Sequence, residues 1–255
     1  MCLILVAWRA HPEYPLVVAA NRDEFHQRAA EAAHWWSHPR MLAGRDLSAG
    51  GTWLGVTRDA RFAALTNYRD PTRYVDGAPS RGAIVPATLD SPMPAARRLQ
   101  QLQHEGAAYN GFNLIFNDRE QLAVFESVAG TGRLLGPGVY GLSNHLLDTP
   151  WPKVVAAKTA LSAALTGLPD EQALLGLLRD ERQADETQLP RTGVSQDWEQ
   201  LLSSAFIRSE TYGTRCSTVL LIDRRGQVRL TEWTWDASGQ PAGQVNFSFE
   251  LDPAL

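Results

Sequence analysis

Apolar and polar positions fall into short extended runs at both ends of the chain and into helical spacing in the middle. Cys2–Trp8 and residues 15–20 are aliphatic, β-branched runs separated by His11-Pro12-Glu13, which predicts a β-hairpin. A second hairpin is predicted from 52–57 and 62–68 across Arg58-Asp59-Ala60-Arg61. Between the hairpins, residues 21–51 are rich in Arg, His and Trp with weak periodicity, and read as one long loop. Its aromatics, Phe25, Trp35 and Trp36, favour an ordered functional loop over disorder. A helical stretch begins at Ser80 and continues over 95–105 with Leu99 and Leu102 on one side. Strands return at 111–117, 121–127 and 139–142. Residues 152–165 predict a helix with Pro152 near its start and Val154, Ala157, Leu161 and Leu165 on one stripe. Further helices are expected at 170–180 and 197–205, then strands at 217–223, 228–235 and 245–251. This order points to an α+β fold, with helices layered on antiparallel sheets rather than alternating βαβ units. With no repeat, low-complexity tract or linker, residues 1–255 read as a single domain.

Composition narrows the function classes. The 255 residues are 44% hydrophobic and 20% charged, the profile of a packed globular protein. Twenty-four Lys and Arg against 28 Asp and Glu give a charge of −4 without a basic stripe, so no nucleic-acid partner is expected. Two cysteines exclude a disulfide framework and thiolate-rich zinc sites. The apolar run from Cys2 to Trp8 is too short to span a membrane, and nowhere do about 18 apolar residues run together. The expectation is a soluble, cytoplasmic protein without a transmembrane segment; oligomeric state is left open.

The common catalytic and metal motifs are absent. Ser143, in Gly141-Leu142-Ser143-Asn144-His145, lacks the second glycine of a nucleophile elbow. His34 and His38 have i,i+4 spacing, but Pro39 and the adjacent Trp-Trp argue against a helical metal pair, so no metal is expected. Cys2 is more telling. Removal of Met1 would leave its thiol and α-amine on one carbon frame, and an amine with a pKa of about 7.7–8.0 can accept the thiol proton. The plainer reading is a small core residue opening a strand. Residues that would complete such a site fall at strand ends: Asn21-Arg22-Asp23-Glu24, Thr66-Asn67-Tyr68, Ser143-Asn144 and Thr214-Arg215-Cys216. Each would also serve as an ordinary turn, cap or surface charge.

Taken together, Met1-Cys2-Leu-Ile, Ala20-Asn21-Arg22-Asp23-Glu24-Phe25, Ala43-Gly44-Arg45-Asp46, Gly50-Gly51-Thr52-Trp53-Leu54-Gly55, Thr66-Asn67-Tyr68-Arg69, Gly141-Leu142-Ser143-Asn144 and Tyr212-Gly213-Thr214-Arg215-Cys216-Ser217 resemble the transport and Golgi organisation (NRDE) family. That resemblance runs from Met1 to the last strands and implies an N-terminal nucleophile (Ntn) hydrolase-like fold. Its form is a four-layer αββα sandwich of two antiparallel sheets flanked by helices. The family is linked to haem trafficking and acyl-lipid metabolism. A more distant similarity to choloylglycine hydrolases and penicillin V acylases implies roles. Cys2 would be the nucleophile with its amine as base, and Asp23 would orient the amine. Asn67 and Asn144 would hold the oxyanion, and Arg215 would stabilise the thiolate. Those relatives read Arg-Asn-x-Asp where this chain reads Asn-Arg-Asp-Glu, so Asn21, Arg22 and Glu24 are supporting residues and Arg22 and Glu24 alternative holders of these roles.

Two functions follow. The first is a cysteine hydrolase cleaving a small-molecule linear amide or thioester of the acyl-lipid class, with no cofactor required. The second is a non-catalytic carrier of haem or acyl-lipid on the same scaffold. It is motivated by Trp35 and Trp36 with His26, His34 and His38, and His145 and Cys216 are the other conceivable haem ligands.

Overall fold

The computed structural model describes residues 2–90 and 92–252. Met1, whose removal would free the Cys2 amine, lies outside them.

The first hairpin is β1 (Cys2–Trp8) and β2 (Leu16–Phe25), paired antiparallel with Cys2 opposite Arg22 and Trp8 opposite Leu16. Next come β3 (Ala30–Trp35), β4 (Leu42–Asp46), β5 (Leu54–Val56) and β6 (Phe62–Asn67). Helices α1 (Ile84–Asp90) and α2 (Ala95–Glu105) follow, then β7 (Phe112–Asn117), β8 (Leu122–Glu126), β9 (Thr131–Leu135) and β10 (Gly138–Leu142). Three helices, α3 (Pro152–Ala164), α4 (Glu171–Leu178) and α5 (Gln196–Leu201), precede β11 (Tyr212–Ile222), β12 (Gln227–Trp235) and β13 (Pro241–Glu250). The strands form two antiparallel sheets, ordered β10-β1-β2-β11-β12-β13 and β3-β4-β5-β6-β7-β8-β9.

Strand alternation sets the layers. Ile4, Val6 and Trp8 of β1, with Leu16, Val18 and Ala20 of β2, face inward and meet Phe62, Ala64 and Ile115 from the other sheet. The intervening Leu3, Leu5, Val17 and Ala19 face outward and pack under Val154, Leu161, Leu174 and Leu178 of α3 and α4. On the far side, Ala63, Leu65, Leu114 and Phe116 are covered by Leu89, Leu99 and Leu102 of α1 and α2. Helix, sheet, sheet, helix is thus the order of the layers. Because both faces of β1 are covered, all seven of its residues are buried, which is why it reads as an unbroken apolar run. No helix among the described residues is long and apolar enough to cross a membrane.

Residues 21–51 are not a loop. The first five extend β2, and the rest supply β3 and β4, which pair with Trp35 opposite Leu42. Their pattern is weak because β3 is an edge strand with exposed residues and an irregular register between Glu31 and His34. The edge strand β9, with exposed Thr131, Arg133 and Leu134, gave no apolar run to predict it. The helix predicted over 197–205 closes at Leu201, and β11 begins at Tyr212, five residues before the predicted start.

Candidate active site

The head of β1 lies where three strands present one row of side chains. Cys2 pairs with Arg22, and Arg22 with Cys216 on the next strand. Two interstrand steps separate the cysteines by about 10 Å, beyond the Cα reach of a disulfide; both are free. The row floors a cleft of about 200 Å³ that brings together Cys2, Arg22, Asp23, Glu24, Asn67 and Arg215. Cys2 is 7% exposed.

Burial pushes the Cys2 thiol up to about 11; the Asp23 carboxylate raises it further, while Arg22 and the Asp23 backbone N–H, which hydrogen-bonds the sulfur, pull it down. Arg22 Nη2 donates to Asp46 Oδ2 at 2.9 Å, and Arg28 Nε donates to the same oxygen at 2.6 Å. The other terminal nitrogen of Arg22, Nη1, is buried without a hydrogen-bond partner among the described residues. Asp23 accepts from the Thr214 hydroxyl at 2.7 Å. Burial raises its carboxyl, against the lowering charges of Lys153 and Arg22.

Arg215 lies on the β-bulge of β11 between Thr214 and Cys216. Its Nη1 donates to the carbonyls of Phe25, His26 and Arg28 at 3.0, 3.2 and 3.0 Å. That guanidinium therefore clamps the β2–β3 turn, whereas Arg22, paired with Cys2 across the strands, has a charge that acts on the thiol. Asn21 points the other way, toward the outer helices. Its Nδ2 donates to the Leu178 and Ala205 carbonyls at 2.7 and 2.8 Å, and its Oδ1 accepts from Ser217. It ties helix ends to the sheet and lies outside the cleft.

The two asparagines meet at the seam between the sheets. Asn144, just past β10, donates from Nδ2 to Asn67 Oδ1 at 2.9 Å and to the Asn67 carbonyl at 3.1 Å. Thr66 Oγ1 donates to the Ser143 carbonyl at 2.6 Å, and the Arg69 backbone N–H donates to the Asn144 carbonyl at 2.8 Å. Ser143 Oγ donates to the Cys2 carbonyl at 3.2 Å. Strand ends from opposite sheets are thus stitched together beside the cysteine.

A buried charged group behind the site was not legible in the sequence. Arg69 Nη1 donates to Glu199 Oε2 at 2.6 Å, with side chains 3% and 4% exposed. Lys153 on α3 donates from Nζ to the Leu202 carbonyl at 2.8 Å, where α5 ends. Burial drops its ammonium to about 8, with Arg69 lowering it further and Asp23 opposing. Arg81 also lines the cleft. Nothing in one sequence joins these positions, which meet only through the tertiary fold.

The aromatic segment is engaged elsewhere. Trp35 packs edge-on against Phe249 at 5.0 Å, and Trp36 donates from Nε1 to the Ala43 carbonyl under the Arg45 guanidinium. His26 Nε2 contacts the Ser209 carbonyl at 3.0 Å and His34 Nδ1 the Ala32 carbonyl at 2.9 Å. Among the described residues, no cluster of three or more His, Cys, Asp or Glu is arranged to hold a metal ion.

Known proteins share both sequence and architecture with this chain. The family model for Transport and Golgi organisation 2 matches residues 1–237. The Transport and Golgi organization protein 2 homolog of Bos taurus is 39% identical over 256 residues, covering 91% of this chain and 92% of that protein. The Homo sapiens homolog is 35% identical, with the same coverage. A crystal structure of a mutant conjugated bile acid hydrolase from Clostridium perfringens superposes with a TM-score of 0.54 at 7% identity, covering 98% of this chain and 92% of that one. The two chains therefore share the helix–sheet–sheet–helix fold.

Proposed function

The chain belongs to the Transport and Golgi organisation 2 family, and from that premise we propose that it is a cysteine hydrolase in which Cys2 cleaves a linear amide or thioester of the acyl-lipid class. The observation that carries the reading is the arrangement at the head of β1. There a cysteine one residue from the chain start lies in a cleft beside Arg22, with the Asp23 amide on its sulfur and the Asn67–Asn144 pair across the seam.

After removal of Met1, the Cys2 amine takes the thiol proton, and Asp23 orients the resulting ammonium. The thiolate attacks the substrate carbonyl carbon, forming a C–S bond and an oxyanion. Asn67 donates to that oxyanion, while Asn144, whose Nδ2 contacts both oxygens of Asn67, holds the Asn67 side chain in position. Collapse breaks the C–N or C–S bond of the substrate, and the leaving group departs with the proton from the ammonium. Water, deprotonated by the same amine, then attacks the thioester and releases the acid. The cation favouring thiolate in this scheme is Arg22, with Arg215 keeping the β2–β3 turn in place.

The carrier reading draws on the aromatic segment, whose Trp and His side chains are taken up in packing and backbone hydrogen bonds.

The test is an intact mass of the purified protein with timed alkylation at neutral pH, followed by turnover assays on acyl amides and thioesters. A mass lacking Met1, fast modification mapped to Cys2, and turnover abolished in a folded Cys2→Ala protein are expected. A retained Met1 or turnover that survives Cys2→Ala overturns the reading.

A further inference from the structure

The cleft holds a cation that the scheme above leaves without a task. Arg81 stands on the single 3-10 turn Arg81–Ala83 ahead of α1 and lines the cleft. This turn is fixed by a backbone crossing. The Thr52 N–H donates to the Gly82 carbonyl at 3.0 Å, and a Cβ on Gly51 would stand 2.3 Å from that same oxygen. Only a glycine at 51 lets the segments approach this closely. Arg81 Nη1 then donates to the Gly111 carbonyl at 2.9 Å, anchoring one prong of the guanidinium.

The neighbouring arginines are already engaged. Arg22 and Arg28 share Asp46, Arg45 lies over the Trp36 ring, and Arg215 holds three carbonyls. Arg81 forms no ion pair among the described residues. A Cys2 thiolate would act on its charge, but burial keeps that thiol protonated near neutral pH. A partly buried guanidinium without a counter-ion is costly, and its planar fork matches a carboxylate.

We infer that Arg81 receives a carboxylate carried by the substrate, so that Cys2 acts on acyl amides with an anionic group a few bonds from the scissile carbonyl. This rests on the hydrolase reading and names its substrate class.

The test compares N-decanoyl-alanine with its uncharged twin, N-decanoyl-ethylamine, on the wild type, Arg81→Met and Arg81→Lys. Arg81→Met should raise KM for the carboxylate substrate about ten- to hundredfold more than for the twin, and Arg81→Lys should restore part of the difference. Equal losses on both substrates overturn the inference. So does slower alkylation of Cys2 in Arg81→Met, which would make the thiolate itself the partner of Arg81. Calorimetric binding of N-decanoyl-alanine to the Cys2→Ala protein separates the two proposals. Binding that depends on Arg81 supports the anion site even where no protein turns the amide over, and binding indifferent to Arg81 overturns it.

Discussion

A thiol as buried as Cys2 is a weak nucleophile by itself. Held near 11, it is thiolate in about one molecule in ten thousand at pH 7, so chemistry at this position depends on a proton acceptor supplied next to it. With the amine blocked, alkylation of Cys2 should be slower than that of a model thiol at pH 7–8 and should climb steadily toward pH 11. A rate equal to the free thiol would show that burial does not control the group. The same shift has a stability consequence of definite sign. The folded state keeps the thiol proton between about 9 and 11 while the unfolded chain has lost it, so stability falls as pH rises through that window. Relative to Cys2→Ala, the wild type should lose up to about 3 kcal/mol there, measured by urea unfolding at stepped pH. Asn67 belongs to this scale too: removing its amide donor should cost on the order of a hundredfold in turnover while leaving Cys2 alkylation unchanged.

At the scale of elements, the site depends on ties that cross from one strand or helix to another. Glu199 on α5 neutralises Arg69, whose backbone N–H also holds the Asn144 carbonyl at 2.8 Å. Glu199→Ala leaves a buried guanidinium uncompensated and should cost about 3–5 kcal/mol, whereas replacing both residues with methionine should recover most of that loss. Denaturant titration of the two proteins side by side decides it. Such ties explain what a single sequence reveals and what it hides. β1 and β7 are legible because both faces of each strand are covered and every residue is buried. β3 and β9 are not, because as edge strands they leave half-polar patterns that resemble loops. At the site, Cys2, Asp23 and Asn67 stand at strand ends where the sequence pattern breaks, and they converge on one cleft. Lys153 and Arg69 gave no such signal. A lysine one position past Pro152 reads as a solvated helix face until the fold brings α5 over it.

At the scale of the whole molecule, core and site share strands but occupy opposite ends of them. Along β6, Phe62 is fully buried between the sheets and Asn67 borders the cleft; five residues of extended chain put them about 16 Å apart. The same division runs along β1 from Trp8 to Cys2. The inter-sheet apolar layer therefore supplies stability from one end, while the seam of Thr66, Asn67, Ser143 and Asn144 aligns the sheets at the other. Phe62→Ala removes a large side chain from a layer closed on both sides by sheets, so the cavity cannot collapse easily. It should cost about 3–5 kcal/mol in urea unfolding. Below the unfolding transition, the alkylation rate of Cys2 in that variant should stay within about twofold of wild type, because the ladder pairing Cys2 with Arg22 and the seam beside it do not include Phe62, and perturbations this far apart act nearly independently. A large change in Cys2 reactivity would mean instead that packing between the sheets sets the geometry of the cleft, and that the scaffold and its site form one cooperative unit.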